Sequence, residues 1–144
     1  MIHDVIAFQR KFNHLLPPTP NHLTRRKLRE RIECIREELT EFVAACDAQD
    51  LAAQADALID LIYFALGTIN MLGMYDAFHP MWAEVQRTNM AKVSGVGKRG
   101  HAVDCIKPPE WRPPSIDYIL RIYGYDPAQQ EFRDDDYVGP CDRV

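Results

Sequence analysis

The chain has 144 residues, 47% of them hydrophobic and 10% aromatic, and a formal net charge of −4. That is enough for one domain with a sizeable core, and the negative balance argues against a general nucleic-acid binder. No run reaches the roughly 18 uninterrupted apolar residues of a membrane-spanning helix. The N-terminus has no signal-like apolar run and the four cysteines include no C-x-x-C pair, so the expectation is a cytoplasmic, reduced protein without nucleic-acid or membrane partners.

In chain order, Asp4 can cap a first helix running to about His14, with Val5, Phe8, Phe12 and Leu15 on one side, before Pro17-Pro18-Thr19-Pro20 stops it. A second helix is predicted from near Asn21 or Thr24 to about Asp47, its stripe Leu28, Ile32, Ile35, Leu39, Phe42 and Cys46 spaced by three and four. Asp50 can cap a third, with Leu51, Ala55, Leu58, Ile62, Ala65 and Ile69 as its stripe and Gly73 as its terminator. Past Asp60 this helix is apolar almost all round, which predicts a central place in the bundle and burial of Asp60. A fourth helix from about Asp76 to Ala91 carries Met81, Val85 and Met90, and Pro80 limits where its regular part begins.

The glycine-rich stretch Ser94 to Gly100 and the proline-rich stretch Lys107 to Pro114 read as loops. Ser115 to about Tyr123 reads as a short helix closed by Gly124, and strand-like alternation is weak throughout. The expected fold class is all-α: a bundle of four to five helices over residues 1–124, then an acidic mobile tail over 125–144.

Two acidic clusters carry the chemistry. Glu37, Glu38 and Glu41 are spaced to share one face of the second helix, and Asp56 and Asp60 share a face of the third. Packing these faces together concentrates like charge, which is costly unless carboxylates are protonated or a cation sits among them. E-E-x-x-E alone describes many solvated helix surfaces; two aspartates in a segment otherwise built of Ala, Leu, Ile, Tyr and Phe favour a divalent-metal site. Hard carboxylate oxygens select magnesium, or manganese, over zinc, and magnesium commonly binds substrate phosphates as well.

Other motifs are weaker. A ferritin-like di-iron bundle needs Glu-x-x-His on two helices, and these positions have none. His3-Asp4 has no further histidine nearby, and His101 and Cys105 lie between loop-forming stretches, where incidental placement is the plainer reading. Gly95-x-Gly97-Lys98 lacks the spacing of a phosphate-binding P-loop. Between Gln86 and Arg112 there are six Lys or Arg against Asp104 and Glu110, a basic stretch suited to an anionic small ligand. Within it, Arg87, Asn89 and Lys92 end the fourth helix, where cations also compensate the helix dipole.

Taken together, Glu37-Glu38-x-x-Glu41, then Asp56-Ala-Leu-Ile-Asp60-Leu-Ile-Tyr63 and Gly67, resemble the all-α nucleoside triphosphate pyrophosphohydrolases, the MazG-like group. More narrowly they resemble its phosphoribosyl-ATP pyrophosphohydrolase-like branch. Asp4-Val5-x-x-Phe8, Val85 to Lys92, and Lys107-Pro108-Pro109-x-Trp111-x-Pro113-Pro114 agree, so the likeness covers roughly residues 1–123.

The resemblance implies a helical bundle completed as a homodimer or homotetramer. It implies magnesium-dependent cleavage of a nucleotide between its α and β phosphates, giving a monophosphate and pyrophosphate. By motif, Glu38, Glu41 and Asp60 would hold metal with Asp56 as a further ligand, and Glu37 or Glu38 would be the base. Asn89 and Lys92, with Arg87 and Lys98, would meet the phosphates. Two positions depart from the pattern: the wider group would place a carboxylate at Ala57 where this chain has Asp56, and the branch's Gly-Lys before Lys-Pro is Asp104-Cys105 here. The rival from another class is a non-catalytic helical nucleotide-binding or oligomerisation module.

Overall fold

The computed structural model describes residues 1–95 and 104–129. Among these the chain is mostly helical: α1 (Ile2–Lys11), α2 (Arg25–Asp47), α3 (Leu51–Met71), α4 (Phe78–Met90), a short hairpin β1 (Val93–Gly95) and β2 (Asp104–Ile106), α5 (Ile116–Ile122) and a 3-10 turn (Pro127–Gln129). Two compact units result, Met1–Tyr75 with the described residues from Asp126, and Asp76–Tyr125. The hairpin departs from the expected loops, because three-residue strands are too short to show alternation in sequence.

In the first unit the helix ends follow side-chain capping. Thr24 Oγ1 accepts from Lys27 N (3.3 Å) at the start of α2, and Asp50 Oδ1 accepts from Ala52 N and Ala53 N (both 3.0 Å) at the start of α3. Gly73 follows the last turn of α3 at φ 69°, where a Cβ would collide with the Thr19 carbonyl oxygen. Asp4 does not cap α1. It lies in the first turn, where its carboxylate complements the helix dipole and pairs with the Met1 amine at 2.6 Å.

α2 and α3 form an antiparallel hairpin, since Arg31 hydrogen bonds to Phe64 and Thr68 near one end and Gln54 Nε2 donates to the Ala45 carbonyl (3.3 Å) near the other. α1 is tied to α3 by a buried amide chain: Gln9 Nε2 donates to the Gly67 carbonyl and Asn70 Nδ2 donates to Gln9 Oε1, both at 2.9 Å. The buried faces differ from the expected stripes. α1 buries Ile2, Val5, Ile6 and Gln9, while Phe8, Phe12 and Leu15 are exposed. α3 buries Ala57, Leu66, Gly67, Asn70 and Met71, leaving Leu51, Leu58, Ile59 and Ile62 exposed. Asp60, expected to be buried, is exposed. A helix apolar on every side offers no periodic signal to choose its inner face, and the small residues Ala57 and Gly67 took it.

By length and composition α3 is long enough and apolar enough to cross a membrane, although Asp56 and Asp60 interrupt its apolar run. Those two carboxylates and the packing along α2 are features of a helix within a protein bundle.

In the second unit α4 begins at Phe78, which leaves Pro80 in the first turn, where a missing N–H costs nothing. Trp111 Nε1 donates to the Thr88 carbonyl (2.8 Å) and Ser115 N donates to Glu84 Oε1 (3.0 Å), so the proline-rich segment and α5 are fastened to α4. Gly124 ends α5 at φ 91°.

Candidate active site

The hairpin of α2 and α3 determines which carboxylates meet. Between the bonds of Arg31 to Phe64 and Thr68 and that of Gln54 to Ala45, the antiparallel register sets Glu38 opposite the segment containing Ala57 and Asp60. Glu38 is half-buried, its Oε2 is fully enclosed, and no hydrogen-bond partner reaches that oxygen. Loss of hydration raises its pKa, and the negative charges of Glu41, Asp60, Glu37 and Asp56 raise it further, in that order. The other four carboxylates named from sequence therefore all act on Glu38, and Asp60 acts more strongly than Asp56. Glu37, Glu41, Asp56 and Asp60 are exposed.

An orphaned, enclosed carboxylate oxygen among four further acids has the chemistry of a cation site with hard oxygen ligands. Yet among the described residues no three His, Cys, Asp or Glu side chains converge closely enough to hold a metal ion as they stand. Ala57 is 3% exposed and packs inward, at the position where the wider family pattern puts a carboxylate, whereas Asp56 lies about 100° round the helix. Asp60, three residues from Ala57 and so about 60° round the helix from it, lies nearer that inward face than Asp56 does.

On the second unit, Arg87 is already engaged: its Nε and Nη2 donate to Glu84 Oε2 and Oε1 at 2.7 and 2.8 Å. That bidentate pair, with the Ser115 amide donating to the same carboxylate, holds the Glu84 pKa down at about 2. Lys92 Nζ donates to Asn89 Oδ1 at 2.8 Å, so these two predicted phosphate contacts are preassembled side by side. Lys98 lies outside the described residues, as do His101 and the tail beyond Gln129.

Sequence reading placed Lys107 in the basic stretch and the Lys-Pro motif but not beside Lys92. The pairing of Val93 with Ile106 brings Lys92 and Lys107 out of the hairpin as neighbours, and the Lys107 ammonium stands 4.2 Å from the Trp111 ring centroid. The signal was present in a lysine flanking each three-residue strand, but without the strands their pairing was invisible.

Comparison with protein-family models finds one that matches residues 5–89, described as phosphoribosyl-ATP pyrophosphohydrolase. A comparison with curated proteins finds no match. The matched region spans more than half of the chain and contains both acidic clusters and Asn89. Its members are hydrolases that release pyrophosphate from a nucleotide-like substrate. The helical fold, the acidic hairpin and the family match converge: the chain belongs to the phosphoribosyl-ATP pyrophosphohydrolase family.

Proposed function

We propose that this protein hydrolyses a nucleoside triphosphate or related nucleotide between the α and β phosphates in a magnesium-dependent reaction, releasing the monophosphate and pyrophosphate. The observation that carries the reading is the enclosed, unpartnered Glu38 Oε2 among Glu37, Glu41, Asp56 and Asp60. Glu38, Glu41 and Asp60 are the residues to hold a divalent ion, with Asp56 as an outlying fourth. When bound, such an ion supplies charge neutralisation on the phosphates and makes water a better nucleophile.

The chain's own groups do the rest. Glu38, whose proton affinity is raised by its neighbours, or Glu37 one residue before it, takes the proton of the attacking water. Asn89 and Lys92, joined to each other, are the phosphate contacts, and Lys107 beside Lys92 adds a second ammonium. Arg87 is the weaker candidate because Glu84 occupies its guanidinium fork.

The reading includes assembly of two or four copies. Leu51, Leu58, Ile59 and Ile62 on α3, with Ile32, Leu39 and Val43 on α2, stay exposed in one chain, and clustered apolar exposure is a feature of association surfaces.

Glu38→Gln and Asp60→Asn test the chemistry. Each should reduce pyrophosphate release by about two orders of magnitude or more while far-ultraviolet circular dichroism stays unchanged. Full activity in both variants would overturn the assignment.

A further inference from the structure

The first unit contains a second polar feature that the carboxylate cluster does not use. Arg31 is half-buried, seven residues before Glu38 and so on nearly the same face of α2, about 10 Å away along the axis. Its Nε donates to Thr68 Oγ1 (3.1 Å), its Nη2 donates to the Phe64 carbonyl (2.9 Å), and the guanidinium lies 5.0 Å from the Phe64 ring centroid. These partners are all neutral. Among the described residues no carboxylate forms a direct ion pair with Arg31; neighbouring Glu30 is bonded to Lys27 at 2.6 Å and acts on Arg31 through its charge alone.

Arg31 lines a pocket of about 50 Å³ together with Gln9, His14, Phe8, Tyr63 and Gly67. Gly67 shapes one wall: a Cβ there would stand 3.4 Å from both Arg31 Nη2 and Gln9 Nε2, so the bare backbone leaves the two donors room. Burial of the guanidinium pushes its pKa below the ordinary arginine value, more than the charges of Cys34 and Glu30 pull it back. Arginine remains protonated and has five N–H donors; two are used on α3 and three remain.

A guanidinium serving only to tie α2 to α3 has no need of an open pocket at its side. An enclosed cavity of about 150 Å³ accepts benzene, whereas a water needs about 10–15 Å³. A volume of 50 Å³ lies between the two and suits a group of a few oxygens. We propose that this pocket binds a compact oxyanion of the phosphate type on the Arg31 guanidinium, with His14 and Gln9 as further polar contacts and the aromatic rings excluding water. The inference stands apart from the hydrolytic reading, because it uses none of the five carboxylates and concerns binding without turnover.

The test is a titration of the metal-stripped full chain with inorganic phosphate and with methyl phosphate, following the Arg31 side-chain ¹⁵Nε resonance and the melting temperature. Both probes should shift the resonance saturably and raise the melting temperature. Arg31→Met should weaken the apparent affinity by about tenfold or more, and Arg31→Lys by less. Tighter binding of methyl phosphate would mark the group as arriving on an organic ligand; equal or weaker binding would mark a free ion. No saturable resonance shift in the wild type would overturn the proposal even if Arg31→Met does not fold. So would equal affinity in a folded Arg31→Met.

Discussion

At the scale of single residues, the protonation of two glutamates separates the two units. The Glu38 pKa is raised, so the native state holds that proton more tightly than the unfolded chain. Its contribution to stability is complete below the unfolded carboxylate's pKa and is lost as pH rises through the raised folded value. Glu38→Gln should therefore melt higher than wild type at neutral pH without metal, and the gap should close in acid. A variant less stable than wild type at pH 7 would contradict the electrostatic reading. This is the trade of stability for function expected where like charges are gathered. Glu84 is the opposite case. Its pKa is held at about 2, so its contribution is present above the ordinary carboxylate value of 4.5 and is lost as pH falls toward 2. Arg87→Ala should return the Glu84 carboxyl toward its ordinary titration, read by ¹³C chemical shift against pH, and should affect turnover less than Lys92→Ala does.

At the scale of elements, helix ends were more legible than helix faces. Asp50, Gly73 and Gly124 mark ends through their own side chain or their lack of one, so each could be placed from sequence, whereas sequence brackets the start of α2 only between Asn21 and Thr24, and it falls at Thr24. Asp50→Ala, which removes the acceptor of two backbone N–H groups, should cost about 1 kcal/mol by denaturant unfolding. Gly73→Ala should cost more, about 2 kcal/mol or above, because strain at positive φ adds to a collision with the Thr19 carbonyl. Faces depend on what lies opposite. The inner side of α3 is lined by Ala57, Gly67 and Asn70, residues that periodicity does not mark as core, and the bulkier Leu58, Ile59 and Ile62 point away. Asp60 was misjudged as buried for the same reason. The coupling of the two acidic clusters was legible because it needs only the spacing within each helix and a short turn between them. The pairing of Lys92 with Lys107 was not, because it depends on strands of three residues.

At the scale of the whole molecule, the apolar faces left open on α2 and α3 underlie the proposal that the chain works as an oligomer. Sedimentation of the purified protein should show a dimer or tetramer. Leu58→Glu with Ile62→Glu should shift it toward monomer without loss of helicity, since both residues are already exposed in the single chain. A wild-type monomer at micromolar concentration would remove oligomerisation from the account. Membership of a pyrophosphohydrolase family and the enclosed Glu38 oxygen together make hydrolysis the central claim. The most direct measurement is pyrophosphate release from phosphoribosyl-ATP and a panel of nucleoside triphosphates, with magnesium and again after chelation. The account predicts one pyrophosphate per monophosphate formed from at least one of these nucleotides, with magnesium only. Magnesium binding without pyrophosphate from any of them would contradict it and leave a nucleotide-binding module.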